Sequence, residues 1–314
     1  MRRGARRGSA LIIVLLLLAL LVVLTAQITV RSSTDSRAME NGLTGVQAQA
    51  GLQGAFVHAL ETLRMDLRAD EKAQTDTGTA MADWGEEAWA TAVSGLPLGD
   101  GTYGFAIMDE EARWNLNALV DNAGAAVPAA QEQFHRLLAD LCPGVNTAAF
   151  EEALMDWVDK AVPPQPEAGN YEQGAPNRTL ITTKELWMVP GATSEILLPL
   201  LPKVTRWTTG QVNVNTCPKE VLHAFWPGLT DSDWTKVVAA RPFRSTDDLR
   251  APLGLPLDQP LPPELAAVAA VRSTFFHLEL SFEKGGDRRT ATAIAVRVAG
   301  QPARLWWDPD PVSP

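Results

Sequence analysis

This sequence has few cysteines, few histidines and no excess of basic residues. Its 314 residues contain two cysteines and four histidines, too few for a disulfide framework or for most transition-metal sites. Cys142 and Cys217 could pair in an oxidising compartment or remain two buried thiols, and their spacing does not decide between the two. The formal net charge of −10 disfavours nucleic acid as a partner, because such binding needs a basic face.

The common catalytic motifs are also missing. The sequence has no H-E-x-x-H, no G-x-S-x-G and no glycine-rich phosphate loop ending in lysine. Its histidines (His58, His135, His223 and His277) lie far apart in apolar contexts, which is typical of structural histidines. The pair Asp156 and Asp159 could do acid–base work, but an acidic pair at a helix end is commonly solvated. We therefore predict a protein that is not an enzyme.

The strongest signal is a membrane anchor at the N-terminus. No charged residue occurs from Gly8 to Val30, and a helix of this length reaches roughly 34 Å, enough to cross a bilayer. Arginines at positions 2, 3, 6 and 7 precede it, so we expect a cytoplasmic N-terminus and translocation of everything after Arg31. The alternative is a cleaved signal peptide, but its apolar region usually spans only about 7–15 residues.

The junction between leader and anchor carries a second pattern. The basic leader ends at Gly8, and the apolar helix begins at once with Ser9. This arrangement resembles that of type IV prepilin-like proteins. The resemblance implies that a prepilin peptidase cuts between Gly8 and Ser9 and that the new terminal amine is methylated.

The rest of the chain predicts an α+β fold with a helical insertion. A three-or-four spacing of apolar residues continues the first helix beyond the membrane, through Leu43, Val46, Ala50, Val57, Leu60, Leu63 and Leu67. The polar segment from Asp70 to Asp83 is predicted to be a loop. Alternation predicts strands over Tyr103–Met108, Thr274–Phe282 and Thr290–Val298.

Between these strands, the pattern changes to a helical period. One predicted helix presents Phe134, Leu137, Leu138 and Leu141 and ends before Pro143-Gly144, and a second carries Phe150, Leu154 and Trp157. Further helices are predicted over Lys184–Val189 and from Thr216 and Thr230, the last with Asp233 in a capping box.

These patterns divide the chain into six parts. They are a leader (1–8), a transmembrane helix with its soluble extension (9–68), the first part of an α+β domain (69–127), an inserted helical domain (128–265), the C-terminal strands of the α+β domain (266–300) and a disordered tail (301–314).

Several short motifs follow one another in a fixed order along the chain. They are Asp109-Glu110 with Arg113, Asn115 and Asn117; Asp156-Trp157-Val158-Asp159; Pro176-Asn177-Arg178; and Asn213 with Asn215 in Val-Asn-Val-Asn-Thr. Together with the leader and anchor, this set resembles the K-type minor pseudopilin of the type II secretion system (the GspK family). The resemblance extends from Gly8 to about Val298.

This resemblance carries expectations about fold, role and location. It implies a pseudopilin fold, with a long N-terminal helix on a small antiparallel sheet and a large α-helical domain inserted. It implies a non-enzymatic subunit of the bacterial inner membrane, with its main domain in the periplasm, that caps the pseudopilus tip to support protein export. The implied partners are minor pseudopilins of the I and J types, the prepilin peptidase, the inner-membrane secretion machinery and membrane lipid.

The fifth residue after the cleavage point is Ile13. Most pilin-like proteins have Glu there, matched in the filament by the terminal amine of the subunit above. A carboxylate without such a partner is expensive in hydrocarbon. The K type lacks this Glu, which fits a subunit with nothing above it, although an apolar residue would also suit an ordinary anchor.

The resemblance also implies an acidic loop that can bind calcium. Its candidate ligands here are Asp156, Asp159, Glu167, Asn170 and Glu172. Calcium takes six to eight oxygen ligands, and Lys160-Ala161 stands where the family often has further acid. A solvated acidic loop is the alternative interpretation.

A membrane-anchored DNA-binding protein is the alternative function. Residues 212–245 resemble the helix-hairpin-helix repeat of competence DNA receptors, which hold phosphate through a Gly-x-Gly hairpin and basic side chains. Here the hairpin is Pro227-Gly228-Leu229-Thr230, followed by Asp231 and Asp233. These carboxylates would repel phosphate, so the sequence favours a shared scaffold without the nucleic-acid site.

Overall fold

The protein begins with one long helix, α1, over Arg6–Thr77. The structure is a computed structural model that describes residues 6–160, 175–208, 210–256, 258–297 and 304–307, with backbone alone at 6–10, 32–38, 40–41 and 304–307. Within α1, Leu11–Arg31 is apolar and long enough to span a membrane, which fits the predicted anchor.

The helix runs farther than the sequence predicted. Residues 70–77, expected to be loop, form its last two turns. Glu71, Lys72 and Gln74 favour helix, and the hydroxyl of Thr75 donates to the carbonyl of Glu71 at 2.9 Å. Gly78 then ends α1 with a φ of +71°, a conformation that glycine adopts readily.

A small antiparallel sheet forms the platform on which α1 lies. In the described part of the chain, its strands follow the order β1-β2-β7-β8-β9. In chain order the strands are β1 (Val93–Leu98), β2 (Gly101–Asp109), β3 (Trp114–Asn115), β4 (Val204–Thr205), β5 (Val212–Asn213), β6 (Ala269–Ala270), β7 (Phe275–Lys284), β8 (Asp287–Val296) and β9 (Arg304–Trp307). The short strands pair in parallel, β3 with β4 and β5 with β6.

The three long predicted strands are confirmed as β2, β7 and β8. The turn between β7 and β8 contains Gly285 and Gly286, both at positive φ (58° and 86°), as a tight hairpin requires. The prediction of a disordered tail over 301–314 was wrong for Arg304–Trp307, which pair as β9 with the end of β8. Leu305, Trp306 and Trp307 have high strand propensity, and this outweighed the polar, proline-rich residues that follow.

One apolar core joins α1 to the sheet. Small residues of α1, Ala55 and Ala59, are fully buried against it. Gly51 lies so close to the sheet that a Cβ at this position would overlap the ring of Phe282 on β7. The helix can approach this closely because its buried face carries small side chains.

Gly51→Ala is expected to lower the free energy of unfolding by about 1–3 kcal/mol, because Phe282 is buried and has to move. Gly45→Ala is the matched control, since a Cβ there meets open space. That change should raise the stability by roughly 0.5–1 kcal/mol through helix propensity. Urea unfolding of the full chain in detergent measures both, and equal effects of the two changes would contradict the packing account.

The helices between β3 and β7 surround a second, larger core. They are α2 (Pro128–Leu141), α3 (Ala148–Val158), α4 (Ser194–Leu200), α5 (Lys219–Phe225), α6 (Asp231–Ala240) and α7 (Pro263–Val268). The buried apolar cluster reaches from Trp114 to Ala269, beyond both bounds predicted for the insertion. Residues 114–127 therefore pack with the helices rather than with the sheet.

Most of the predicted helices are present with small changes. The first two are α2 and α3, and the capping box of Thr230 with Asp233 begins α6. The segment predicted as helix 184–189 is a 3-10 turn over Thr183–Met188. The helix expected from Thr216 begins later, at Lys219, because Pro218 occupies its N-cap position.

Candidate functional site

An apolar stripe along α1 is not covered by any part of the chain that the structure describes. Its members recur three, four or seven residues apart on one helix face. We call this set the α1 stripe: Met39, Leu43, Val46, Ala50 and Val57. The exposed fractions of its large side chains run from 58% at Leu43 and Val57 to 78% at Met39. An apolar surface of this kind marks a site of interaction.

The apolar residues whose spacing predicted the continuation of the first helix do not all lie on one face of it. Leu60 and Leu63 are buried on the sheet face of α1, whereas Val57 points away from it. Steps of three and four residues drift around the helix, so the sequence pattern merged two faces. One face holds the sheet and the other is open.

The α1 stripe continues the membrane segment without a break in the helix. The described side chains of Leu11–Leu24 are about half exposed or more, as expected of residues that contact lipid. Ile13 belongs to this surface, with 59% of its side chain exposed. Gly8 and Ser9 lie within the first turns of α1, where the structure describes backbone only.

Two of the motif residues, Asp109 and Asn213, meet in a buried polar junction at the end of β2. Asp109, the last residue of β2, accepts hydrogen bonds from Asn213 Nδ2 (3.0 Å), Thr216 Oγ1 (2.5 Å) and Ser273 Oγ (2.6 Å). Burial raises the pKa of Asp109 to about 7, even though the hydroxyl groups of Ser273 and Thr216 act in the opposite direction. The junction ties β2 to β5 and to the segment before β7.

The next motif residue, Glu110, makes a buried ion pair. Its Oε1 lies 2.9 Å from Arg113 Nη1 and 3.4 Å from His277 Nδ1, and Thr205 donates to its other oxygen. Burial acts to raise the pKa of Glu110, but Arg113 and His277 outweigh it and hold that pKa below its ordinary value. Through these contacts β2, β4 and β7 meet at one carboxylate.

The side chain of Asn117 holds the backbone of a distant loop at Leu180. Its amide accepts from Leu180 N at 2.9 Å and donates to Leu180 O at 3.2 Å. Asn115 fixes the position of Asn117, because the Asn115 side chain accepts a hydrogen bond from Asn117 N. The motif therefore shapes the insertion and presents no reactive group.

Asn177 and Arg178 fix the same loop to α3. With the Asn177 amide turned so that its nitrogen faces α3, the orientation that satisfies both of its ends, that nitrogen lies 3.0 Å from Asp159 O and 3.1 Å from Asp156 O, where it can cap the helix. Arg178 pairs with Glu185 at 3.0 Å, and Trp157 donates to the same carboxylate.

Asn215 plays a comparable role for residues 241–245. Its amide exchanges two hydrogen bonds with the backbone of Phe243, at 2.9 and 2.7 Å. Thus Asn213 and Asn215, two residues apart, hold two different parts of the chain in place.

The described residues supply little of the predicted calcium site. Asp156 and Asp159 lie at the end of α3, each partly buried. Glu167, Asn170 and Glu172 lie outside the described residues. Two carboxylates provide fewer oxygens than the six to eight that calcium takes, so the calcium site stays a prediction.

The helix-hairpin-helix resemblance holds in outline, through α5 and α6, but the chemistry differs. Asp231, at the start of α6, lies 2.5 Å from the ammonium group of Lys219 and offsets its positive charge. Arg241 is also occupied, since it donates to the carbonyls of Val214 and Cys217. These contacts disfavour the phosphate grip that a DNA-binding module needs.

The described histidines form separate pairs with different residues. His58 contacts Tyr103, His135 contacts Glu151, His223 contacts Asp140 and His277 contacts Glu110. Both cysteines are free and buried, and burial raises the pKa of Cys217 to about 11. A thiol with so high a pKa is a poor nucleophile.

A long apolar helix on a small antiparallel sheet, with a helical insertion, is the architecture of a pseudopilin. Two models of the family described as type II secretion system (T2SS) protein K match this chain, over residues 112–208 and 212–268. The chain belongs to this family, and it is a minor pseudopilin.

Two relatives agree with this assignment. The type II secretion system protein K of Aeromonas hydrophila is 25% identical over 323 residues, covering 92% of each chain. A chain in the crystal structure of the GspK-GspI-GspJ complex from enterotoxigenic Escherichia coli has the same fold, with a TM-score of 0.63 at 23% identity. That match covers 82% of this chain and 96% of the other.

Proposed function

We propose that this chain caps the tip of a periplasmic pseudopilus, together with minor pseudopilins of the I and J types. The α1 stripe is the observation that carries the proposal. It is apolar, open and continuous with the membrane segment, so it suits parallel helices that rise from the same membrane. The solved complex of a structural relative with GspI and GspJ supports this choice of partners.

The proposal places the chain in the bacterial inner membrane with a single span. Basic flanks are retained in the cytoplasm, and the four arginines before Gly8 support an N-terminus there. The acidic main domain then lies in the periplasm. Its role is structural and not enzymatic, because the motif side chains are committed to holding the fold together.

Two features support the tip over the filament body. The helices around the second core make the subunit too bulky to repeat along a narrow filament. Ile13 stands where a subunit inside the filament needs a carboxylate, and at the tip no terminal amine from above would neutralise such a group.

Val57→Asp is expected to weaken binding to the I- and J-type partners at least about tenfold, because it places an unpaired charge in an apolar contact. Co-purification of full chains from membranes, followed by titration in detergent, measures this. Ala69→Asp is the matched control, since Ala69 is exposed on the same helix but outside the α1 stripe. Equal binding by native chain and Val57→Asp would contradict the proposed surface.

Ile13→Glu is expected to leave secretion unchanged or to reduce it. The new carboxylate lacks an amine above it and costs at least about 2.5 kcal/mol in hydrocarbon unless it takes up a proton. The assay compares secretion in a strain lacking the native gene, complemented with either form at matched expression. A clear gain in secretion would place the subunit inside the filament.

A further inference from the structure

We propose that three carboxylates around one arginine form a proton-operated latch that fastens α1 to the segment leading into β1. The group consists of Asp66, Asp83, Glu87 and Arg297, and we call it the carboxylate latch. One oxygen from each of the three carboxylates lies within 4.8 Å of the others. The family motifs do not include any of these residues.

The latch joins parts of the chain that are far apart in sequence. Arg297, just after β8, contacts Asp66 of α1 at 2.7 Å with Nη1 and Asp83 with Nη2. Asp83 also accepts from Ser273 N at 2.7 Å. The end of α1, the segment after it and the last long strand therefore meet at one guanidinium.

Glu87 completes the group from the segment before β1. Its Oε2 accepts from the Trp89 indole at 2.7 Å and from Trp84 N at 3.0 Å. Both donors are neutral, so Glu87 adds a negative charge without bringing a cation of its own. Because the Trp89 indole N–H donates to Glu87, the NMR resonance of that indole can report whether this carboxylate carries a proton.

The charges at the latch do not balance. Three carboxylates lie close together, but of these only Asp66 and Asp83 contact the guanidinium of Arg297, whose Nε is buried without a hydrogen-bond partner among the described residues. Asp70 of α1 adds a further negative charge near Asp66, and two arginines act on Asp70 in turn: Arg272, from the segment before β7, and Arg244, whose guanidinium stacks on Trp84. With all carboxylates ionised, repulsion acts in a poorly solvated site, and binding one proton relieves it.

The burial of Glu87 and Asp66 determines how the stability of the latch changes with pH. Burial raises the pKa of Glu87 from 4.5 to about 7 and the pKa of Asp66 from 3.8 to about 6, in the second case against the effect of Arg297. The closed latch thus holds a proton that the unfolded segment releases. Its stabilisation is complete below about pH 4 and is lost as the pH rises through about 6–7.

The first test is a titration of the Trp89 indole. The full chain, labelled with ¹⁵N-tryptophan in detergent micelles, is followed from pH 5 to 8.5, and Trp89→Phe assigns the resonance. We expect that resonance to shift with a midpoint near pH 7 in the native chain and in Glu86→Gln, an exposed neighbour. Glu87→Gln should abolish the shift. A Trp89 resonance that does not move in the native chain would overturn the proposal.

The second test asks whether the proton holds the segment closed. Hydrogen exchange of residues 78–90 in the native chain, corrected for intrinsic rates, should accelerate from pH 6 to 7 by up to about tenfold, the limit for one linked proton. Glu86→Gln should behave like the native chain. The same corrected exchange at both pH values in the native chain would show that the carboxylates do not act as a latch, even if Glu87 titrates.

Discussion

Arg297→Ala is expected to lower the free energy of unfolding by about 3–5 kcal/mol near neutral pH, the usual cost of removing one partner from a buried ion pair. The Arg297 side chain is 6% exposed and pairs with Asp66 and Asp83. Without it, these two carboxylates keep their burial and lose their cation. Asp66, whose pKa burial raises to about 6 in the native protein, can avoid this cost by binding a proton, so the loss should shrink as the pH falls below about 6.

Arg289→Ala is the matched control for this prediction. Arg289 lies on the preceding strand, β8, with a side chain 61% exposed, and pairs with Asp287 at 3.1 Å. An exposed pair of this kind contributes at most about 1 kcal/mol. Urea unfolding of both full-length variants in detergent makes the comparison. A loss for Arg297→Ala no larger than that for Arg289→Ala would refute the role given to this arginine.

Gly8→Leu is expected to abolish N-terminal processing. Gly8 immediately precedes the apolar segment that begins at Ser9. The resemblance to prepilin-like proteins implies a peptidase that cuts after this glycine. A bulky side chain at the cleavage point should leave the precursor intact, with residues 1–8 retained. Intact-mass measurement of the membrane-extracted chain, together with N-terminal sequencing, distinguishes the two forms.

Gly4→Leu controls for the loss of a leader glycine. Gly4 lies in the same basic leader but does not adjoin the apolar segment that begins at Ser9, so this variant should be processed to a chain that begins at Ser9. Secretion should fail with Gly8→Leu and persist with Gly4→Leu. A native chain that begins at Met1, or at a residue beyond Ser9, would refute the processing site.

The features predicted well from the sequence are those with local causes. The anchor follows from an uninterrupted apolar run, and the start of α6 follows from Thr230 and Asp233, three residues apart. Strands β7 and β8 follow from the alternation of apolar and polar residues along each of them. In each of these cases the deciding residues are close neighbours in the chain.

The polar junction and the latch could not be predicted in the same way. Asp109 and Asn213 are 104 residues apart, and Arg297 and Asp83 are 214 apart. The sequence placed Asp109 and Asn213 in motifs but gave no role for either. Arg297 lacked even a motif, because a lone arginine after a strand carries no signal of the carboxylates that the fold brings to it.

The division of α1 into two faces also needed the structure. A helical period identifies apolar positions but does not say which of them the protein's own sheet covers. Val57 and Leu60 share one sequence pattern, yet Val57 is open and Leu60 is buried. The open positions are those that a partner helix can use.

The position of the subunit on isolated pseudopili tests the central proposal most directly. The full chain, carrying a gold label on a C-terminal tag, would be expressed at its native level and its filaments imaged by electron microscopy. We expect label at one end of each filament, in complexes that also contain the I- and J-type subunits. Label distributed along the filament shaft would contradict it.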